Sequence, residues 1–224
     1  MVVGDPDYWV RRFTSIDKRL LVRIIALWPK CLEVLPASPE EDKITINLRS
    51  LLTRDPEARR IFYYLEYQFE PQGFTPDGLA FSKGKIDLAV LLDQGCTRYL
   101  AYECKRLNVH HKGARQSLAT LYVNEGVERF ITEQYAEGLP VGCMLGYVLD
   151  GDIDFARSSV YTAINTNKNA IGLIGGPVSV PSIADIERFT TEHTRPTTAS
   201  VFHIHHSFLP FPKRKSNNKK KQSN

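Results

Sequence analysis

The stretch from Lys85 to Lys105, KIDLAVLLDQGCTRYLAYECK, constrains the fold more than any other, because it places three charges inside two apolar runs. Ile86 to Leu92 and Arg98 to Lys105 are rich in apolar, β-branched and aromatic residues, and Asp93-Gln94-Gly95-Cys96-Thr97 between them has the composition of a turn. The pattern predicts a β-hairpin. If Leu92 faces Arg98 across the five-residue loop, paired positions sum to 190 and Asp87 lies opposite Glu103 on one face of the sheet. Side chains alternate along a strand, so Glu103 and Lys105 share that face, about 7 Å apart, while Tyr102 and Cys104 point the other way. Two facing carboxylates, about 5 Å apart at Cβ, repel unless a cation sits between them or one is protonated. Ala89, Leu91 and Ala101 share the charged face, and Ile86, Leu88, Val90, Leu100, Tyr102 and Cys104 fill the other, so both faces read as covered. A surface hairpin with ordinary solvated charges is the alternative, and the apolar runs on both faces argue against it.

Asp87 followed by Glu103-Cys104-Lys105, with apolar residues before each, resembles the motif of the PD-(D/E)XK nuclease superfamily, which includes restriction endonucleases and Holliday-junction resolvases. Ile86 stands where the motif name has proline, a departure that many members share. The resemblance implies an α/β fold with a restriction endonuclease-like core, a mixed β-sheet flanked by helices in αβββαβ order. It also implies a metal-dependent nuclease acting on nucleic acid, DNA before RNA. Asp87 and Glu103 would hold one or two Mg²⁺ or Mn²⁺ ions through oxygen, with the backbone carbonyl of Cys104 as a further ligand. Lys105 would position or activate the attacking water and offset charge on the transition state. In the superfamily an acidic residue on the helix before the sheet often joins the metal site, which nominates Glu41. The competing reading is that Glu41 completes a Ser38-x-x-Glu41 capping box.

Taken in order, Asp5-Pro6 opens a helix that runs to about Trp28, with Trp9, Phe13, Ile16, Leu20 and Ile24 at helical spacing. Ser38-Pro39-Glu40-Glu41 starts a second, with Ile44, Leu48, Leu51 and Leu52 as its apolar face. Asp55-Pro56 opens a short helix, Tyr63 to Phe69 alternates like a strand, and Gly73 to Gly84 is a turn-rich link. Arg106 to Lys112 reads as a basic loop before a long helix from about Gly113 to Tyr135. Gly138-Leu139-Pro140 stops that helix, and Val141 to Leu149 is a buried strand. This order covers the superfamily's core over about 39–149. Phe155 to Asn169 then looks helical, 172–181 loop-like, and Ser200 to Phe211 a final strand.

Arg106, His110, His111, Lys112 and Arg115 would project near the end of the hairpin, where substrate phosphates must lie, and are candidate nucleic-acid contacts. Gln116 and Arg129 are further candidates on the long helix, with a solvated helix face as the alternative. His203 and His205 share a strand face as metal ligands could. With no cysteine or acid beside them in sequence, strand-edge or phosphate-contacting histidines, His206 included, fit better than a zinc site.

At 224 residues and 42% hydrophobic content, one domain over 1–212 is expected. The net charge of +4 is concentrated at the end. Lys213 to Asn224 holds six of the 29 basic residues and no acid, leaving 23 against 25 acidic residues, a net of −2, before it. Such a tail is a disordered solubilising end or an electrostatic tether to a polyanion. The four cysteines are widely spaced with no C-x-x-C pair, which suits reduced thiols. The start, MVVGDPDYW, lacks an apolar leader core, and no run reaches the roughly 18 apolar residues a membrane span needs, so a cytoplasmic protein without a membrane partner is expected. With no obvious recognition domain, specificity would come from nucleic-acid structure, a partner protein or a homo-oligomer. Restriction, antiviral defence or repair follows by family analogy alone. Two other readings stay open: an idle nuclease fold used for binding or assembly, and an unrelated α/β protein whose hairpin charges form an internal salt bridge.

Overall fold

The computed structural model describes residues 5–212 apart from residue 185, so the basic tail of 213–224 lies outside the described residues. Asp5 caps the first helix, α1 (Pro6–Glu33), its carboxylate accepting the Asp7 amide at 2.9 Å. The helix continues past Trp28 and through Pro29 because its apolar face still has a core to enter. Trp28 stacks on Tyr147 and donates to the Pro210 carbonyl at 2.8 Å, and Cys31 is fully buried. Helix α2 (Glu41–Arg54) buries Ile44, Leu48 and Leu52. A 3₁₀ turn (Ala58–Arg60) follows, opened by Asp55, which accepts the Ala58 amide and pairs with Arg23 at 2.6 Å.

The chain then forms β1 (Tyr64–Phe69), a small hairpin of β2 (Gln72–Phe74) and β3 (Ala80–Ser82), and the strands β4 (Ile86–Leu91) and β5 (Tyr99–Leu107). The charged hairpin has the register expected from its loop: Leu88 pairs with Tyr102, and Leu91 with Tyr99. A second small hairpin, β6 (Val109–His111) and β7 (Ala114–Gln116), precedes a short helical segment. That segment comprises α3 (Ala119–Tyr122), a π-helical turn (Val123–Val127) and α4 (Glu128–Ile131), and it leads to β8 (Val141–Val148). Helix α5 (Ile153–Thr166) and the strands β9 (Leu173–Ser179), β10 (Arg188–Arg195) and β11 (Thr198–Pro210) complete the chain.

Seven strands form one mixed sheet in the order β1-β4-β5-β8-β11-β10-β9. β8 runs parallel to both β5 and β11, and the remaining neighbours are antiparallel. Every residue of β8 is buried, as a central strand with both faces covered requires. Tyr102 on β5 reaches Asp17 of α1, while the next residue, Glu103, lies beside Gly126 of the π-helical turn. Helices α1 and α2 therefore cover one face, and the α3 to α4 segment with α5 covers the other. Among the described residues no helix is long and apolar enough to cross a membrane.

Four expectations need correction. The long helix from Gly113 to Tyr135 is confined to 119–131 and is broken by the π-helical turn. There Gly126 packs so closely on Met144 that a Cβ would approach its methyl carbon to 2.5 Å. Arg106 to Lys112 is not a loop, since Arg106 and Leu107 end β5 and the rest enters the β6–β7 hairpin. The link of 73–84 contains the β2–β3 hairpin. The stretch 172–181 is largely strand β9, whose glycines and proline read as a turn but which pairs with β10, a polar strand that periodicity did not reveal.

Asp17 is the polar tie between α1 and the sheet. Fully buried, its carboxylate accepts from Tyr102 Oη at 2.8 Å, Arg188 at 2.9 Å and His205 Nδ1 at 3.0 Å. Burial opposes the charge, but His205, Arg188 and Tyr102 together hold this carboxyl below its ordinary value. Asp17→Ala leaves Arg188 charged and buried without its partner, and should cost about 3–5 kcal/mol in denaturant unfolding. Asp17→Ala with Arg188→Leu should recover part of that loss.

Candidate functional site

The backbone pairing of β4 with β5 reaches Leu88–Tyr102 and goes no further. One residue on, Asp87 Oδ2 accepts the Cys104 amide at 2.7 Å, so a carboxylate takes up that β5 donor. Glu103, 0% exposed, accepts from Lys105 Nζ and from Arg129 Nη1, each at 2.7 Å on Oε1. Glu41, in the first turn of α2, accepts Lys105 Nζ at 3.2 Å on Oε1 and the Arg106 amide at 2.9 Å on Oε2. Residues from three separate elements, Glu41, Asp87, Glu103 and Lys105, thus meet as the sequence nominated them. The capping-box alternative for Glu41 is overturned: the cap residue of α2 is Glu40, with no side-chain bond, and the Glu41 carboxylate turns to β5. A cation and an unpaired amide offered by β5 outcompete a local cap.

Arg129 belongs to this constellation rather than to a solvated helix face. Its Nη1 also lies 3.0 Å from Tyr135 Oη, and that hydroxyl donates to the Lys85 carbonyl. Tyr135 was not nominated, and no motif would have marked it. The π-helical turn changes the phase of the segment just before Arg129, so helical periodicity could not place either side chain.

Three carboxylates, Glu41, Asp87 and Glu103, face two cations, Lys105 and Arg129. Burial, followed by the Asp87 charge, pushes the Glu103 carboxyl up to about 8 against the pull of Lys105 and Arg129. Burial also raises Asp87, to about 6, although Lys105 and the Cys104 amide pull it down. Burial pulls Lys105 down, but Glu103, Glu41 and Asp87 more than offset this and hold the ammonium above its ordinary value. Glu103 Oε2 is buried without any hydrogen-bond partner. Buried oxygens of this kind are scarce in folded proteins and call for an explanation such as an ion. A donor set of carboxylate oxygens and a neighbouring backbone carbonyl, that of Cys104, suits a hard divalent cation.

The remaining nominated residues divide. The side chain of Arg106 is tied down beside the site by Glu40 at 2.9 Å and the Pro39 carbonyl. Arg115 bonds Asp150, and Asp152 at 2.7 Å, and lies over the Phe155 ring, so it fastens the β6–β7 hairpin rather than standing free for phosphate. His110, His111, Lys112 and Gln116 lie exposed on that hairpin, Gln116 on β7 and not on a helix.

The histidines of β11 correct a different expectation. β11 lies inside the sheet, so His205 and His206 are buried and are neither edge nor phosphate-contacting residues. His206 bridges Tyr122 and Thr191, each at 2.9 Å, and burial holds its imidazole well below the ordinary value and therefore neutral. His203 is partly exposed, 3.7 Å from Glu192. His205, Asp17 and Cys143 bring one potential ligand atom each within 4.8 Å, neighbours that sequence distance had hidden. The positive charge a metal would bring is already supplied there by Arg188, and the Cys143 thiol donates to Asp17 at 3.6 Å.

The Glu103 carboxyl makes stability pH-dependent in a definite direction. Below its ordinary value of 4.5 both folded and unfolded chains hold the proton. As pH rises toward about 8 the unfolded chain releases it and the native site does not, so native stability falls over that window. With metal removed by EDTA, Glu103→Gln should gain on the wild type by on the order of 3 kcal/mol between pH 5 and pH 8 in denaturant unfolding. A constant difference across that range would contradict the buried, raised carboxyl.

Among known proteins, no family model, no curated protein and no solved structure matches this chain.

Proposed function

We propose that this protein is a metal-dependent nuclease that hydrolyses phosphodiester bonds in nucleic acid, most readily DNA. The observation that carries the reading is the buried, unpartnered Oε2 of Glu103 beside Asp87 and Glu41, with a cationic Lys105 between the carboxylates. Glu133 Oε1, beside Arg195, is also buried and unpartnered, so what distinguishes this site is the convergence of three carboxylates, Glu103, Glu41 and Asp87, around the one Lys105 ammonium. The order α2, β1, β4, β5, α3 to α4, β8, with β8 parallel to β5, supports a restriction endonuclease-like core.

Asp87, Glu103 and Glu41, with the Cys104 carbonyl adjacent, would hold Mg²⁺ or Mn²⁺. Bound there, the ion would supply Lewis-acid charge to the phosphate and to an attacking water. Lys105 stays protonated, so it is a poor base; it donates a hydrogen bond to the water or phosphate oxygen and offsets developing negative charge. Arg129 engages Glu103 Oε1, which leaves Oε2 as the free donor, and Glu41 holds the Lys105 ammonium in place. His110, His111 and Lys112 offer phosphate contacts beside the site, and a partner protein or a second copy would add specificity.

Mg²⁺ should raise the melting temperature of the wild type by binding the native state. Asp87→Asn should leave the EDTA-treated protein no less stable while abolishing both the metal-induced shift and cleavage of plasmid and single-stranded DNA. Lys105→Ala should keep the metal shift yet lose about 100-fold or more in rate. Glu41→Gln should weaken metal binding and cleavage together, whereas full activity would return Glu41 to a purely structural role. A wild type that neither gains stability from divalent metal nor cuts any nucleic acid would remove the nuclease reading.

A further inference from the structure

The β2–β3 hairpin is built unlike the rest of the molecule. Phe74 and Leu79 are each 68% exposed and Phe81 47%, in a chain whose other large aromatics are mostly buried. Alternation puts Phe74 and Phe81 on opposite faces, since Phe74 pairs with Ala80, and Phe81 with Gly73. A hairpin that docked flat on a protein core would be apolar on one face only. The fold of the hairpin does not depend on the Phe74 and Leu79 side chains. Thr75 closes the turn by accepting the Leu79 amide at 2.9 Å, Gly78 supplies the required φ of +88°, and the Phe81 ring lies across Gly73, where a Cβ would come within 2.5 Å of it.

Its position is equally particular. The hairpin delivers the chain to the start of β4, immediately before which the Lys85 carbonyl accepts the Tyr135 hydroxyl that also meets Arg129 and, through it, Glu103. Lys83 pairs with Glu137, and Gly84 backs onto Gln134 and Tyr135, so the base of the hairpin is fixed to the same segment. β5 runs antiparallel to β4 and ends at Leu107, directly before the exposed β6–β7 hairpin. An apolar hairpin and a basic one therefore leave the sheet at one end, the end that carries the carboxylates.

We propose that the β2–β3 hairpin is a wedge that stacks on unpaired bases, so that the substrate is nucleic acid interrupted by an unpaired or unstacked tract rather than continuous duplex; this rests on the nuclease reading of the adjacent site. Apolar side chains enter or cap base steps where stacking is already broken, and stacking on an aromatic ring tolerates any base. A second copy of this chain fits the hairpin less well, because a stable interface draws on roughly 20–30 residues a side and this patch offers three apolar side chains.

The test compares the wild type with Phe74→Ser/Leu79→Ser, which removes the two most exposed side chains and keeps Phe81 over Gly73. Binding is measured in EDTA to an oligonucleotide duplex and to the same duplex interrupted by an unpaired tract carrying 2-aminopurine. The wild type should prefer the interrupted duplex by about tenfold and change the 2-aminopurine fluorescence, and the double variant, with an unaltered melting temperature, should lose both. Plasmid cleavage in Mg²⁺ reports separately on the nuclease reading. A wild type that cuts but binds both duplexes alike, or a variant that keeps the preference, overturns the wedge alone. A wild type that binds and cuts nothing overturns both. A protein with no such preference that is dimeric as wild type and monomeric as the double variant assigns the hairpin to a second copy and overturns the wedge.

Discussion

A carboxylate with no exposed surface, Glu103, sits in the middle strands of the sheet, and much of the surrounding architecture serves to make that tolerable. Burying an unpaired charge costs several kcal/mol, so the chain supplies Lys105 two residues away and Arg129 from the opposite helical layer. Both cations converge on the same oxygen, and the second is left without a partner. A purely structural ion pair would gain by satisfying both oxygens. Leaving one unsatisfied beside a second raised carboxyl, Asp87, is the kind of strain that functional sites carry and that a bound cation relieves.

At the second polar centre, both oxygens of the Asp17 carboxylate are met. It too is a buried carboxylate, yet it is met by Tyr102, Arg188, His205 and the Cys143 thiol, and its charge is held rather than suppressed. These contacts join α1 to β5, β8, β10 and β11 and fix the layer against which α2, with Glu41, packs.

Much of the site was legible because strand geometry has a short, rigid period. The loop length between Leu92 and Arg98 sets the register, and the register puts Asp87 beside Glu103 without any knowledge of the fold. Glu41 was legible only as one of two readings, since local capping and a long-range partner use the same carboxylate. Arg129 and Tyr135 were obscured by a π-helical turn that no composition signal marks, and β10 by its polar alternation. The histidines of β11 were misjudged because their partners, Asp17 and Thr191, lie far away in sequence or on a strand that was itself missed. Local pattern reaches hairpins and helix faces; contacts assembled by tertiary packing lie beyond it.

The most direct test of the metal-seat account is anomalous diffraction from crystals soaked in Mn²⁺ and recorded at the manganese edge. The account predicts a peak bound by Glu103 Oε2 and Asp87, within reach of the Cys104 carbonyl, with Lys105 remaining close by. Crystals that show no peak there, with Glu103 Oε2 still unpartnered in the electron density, would contradict it.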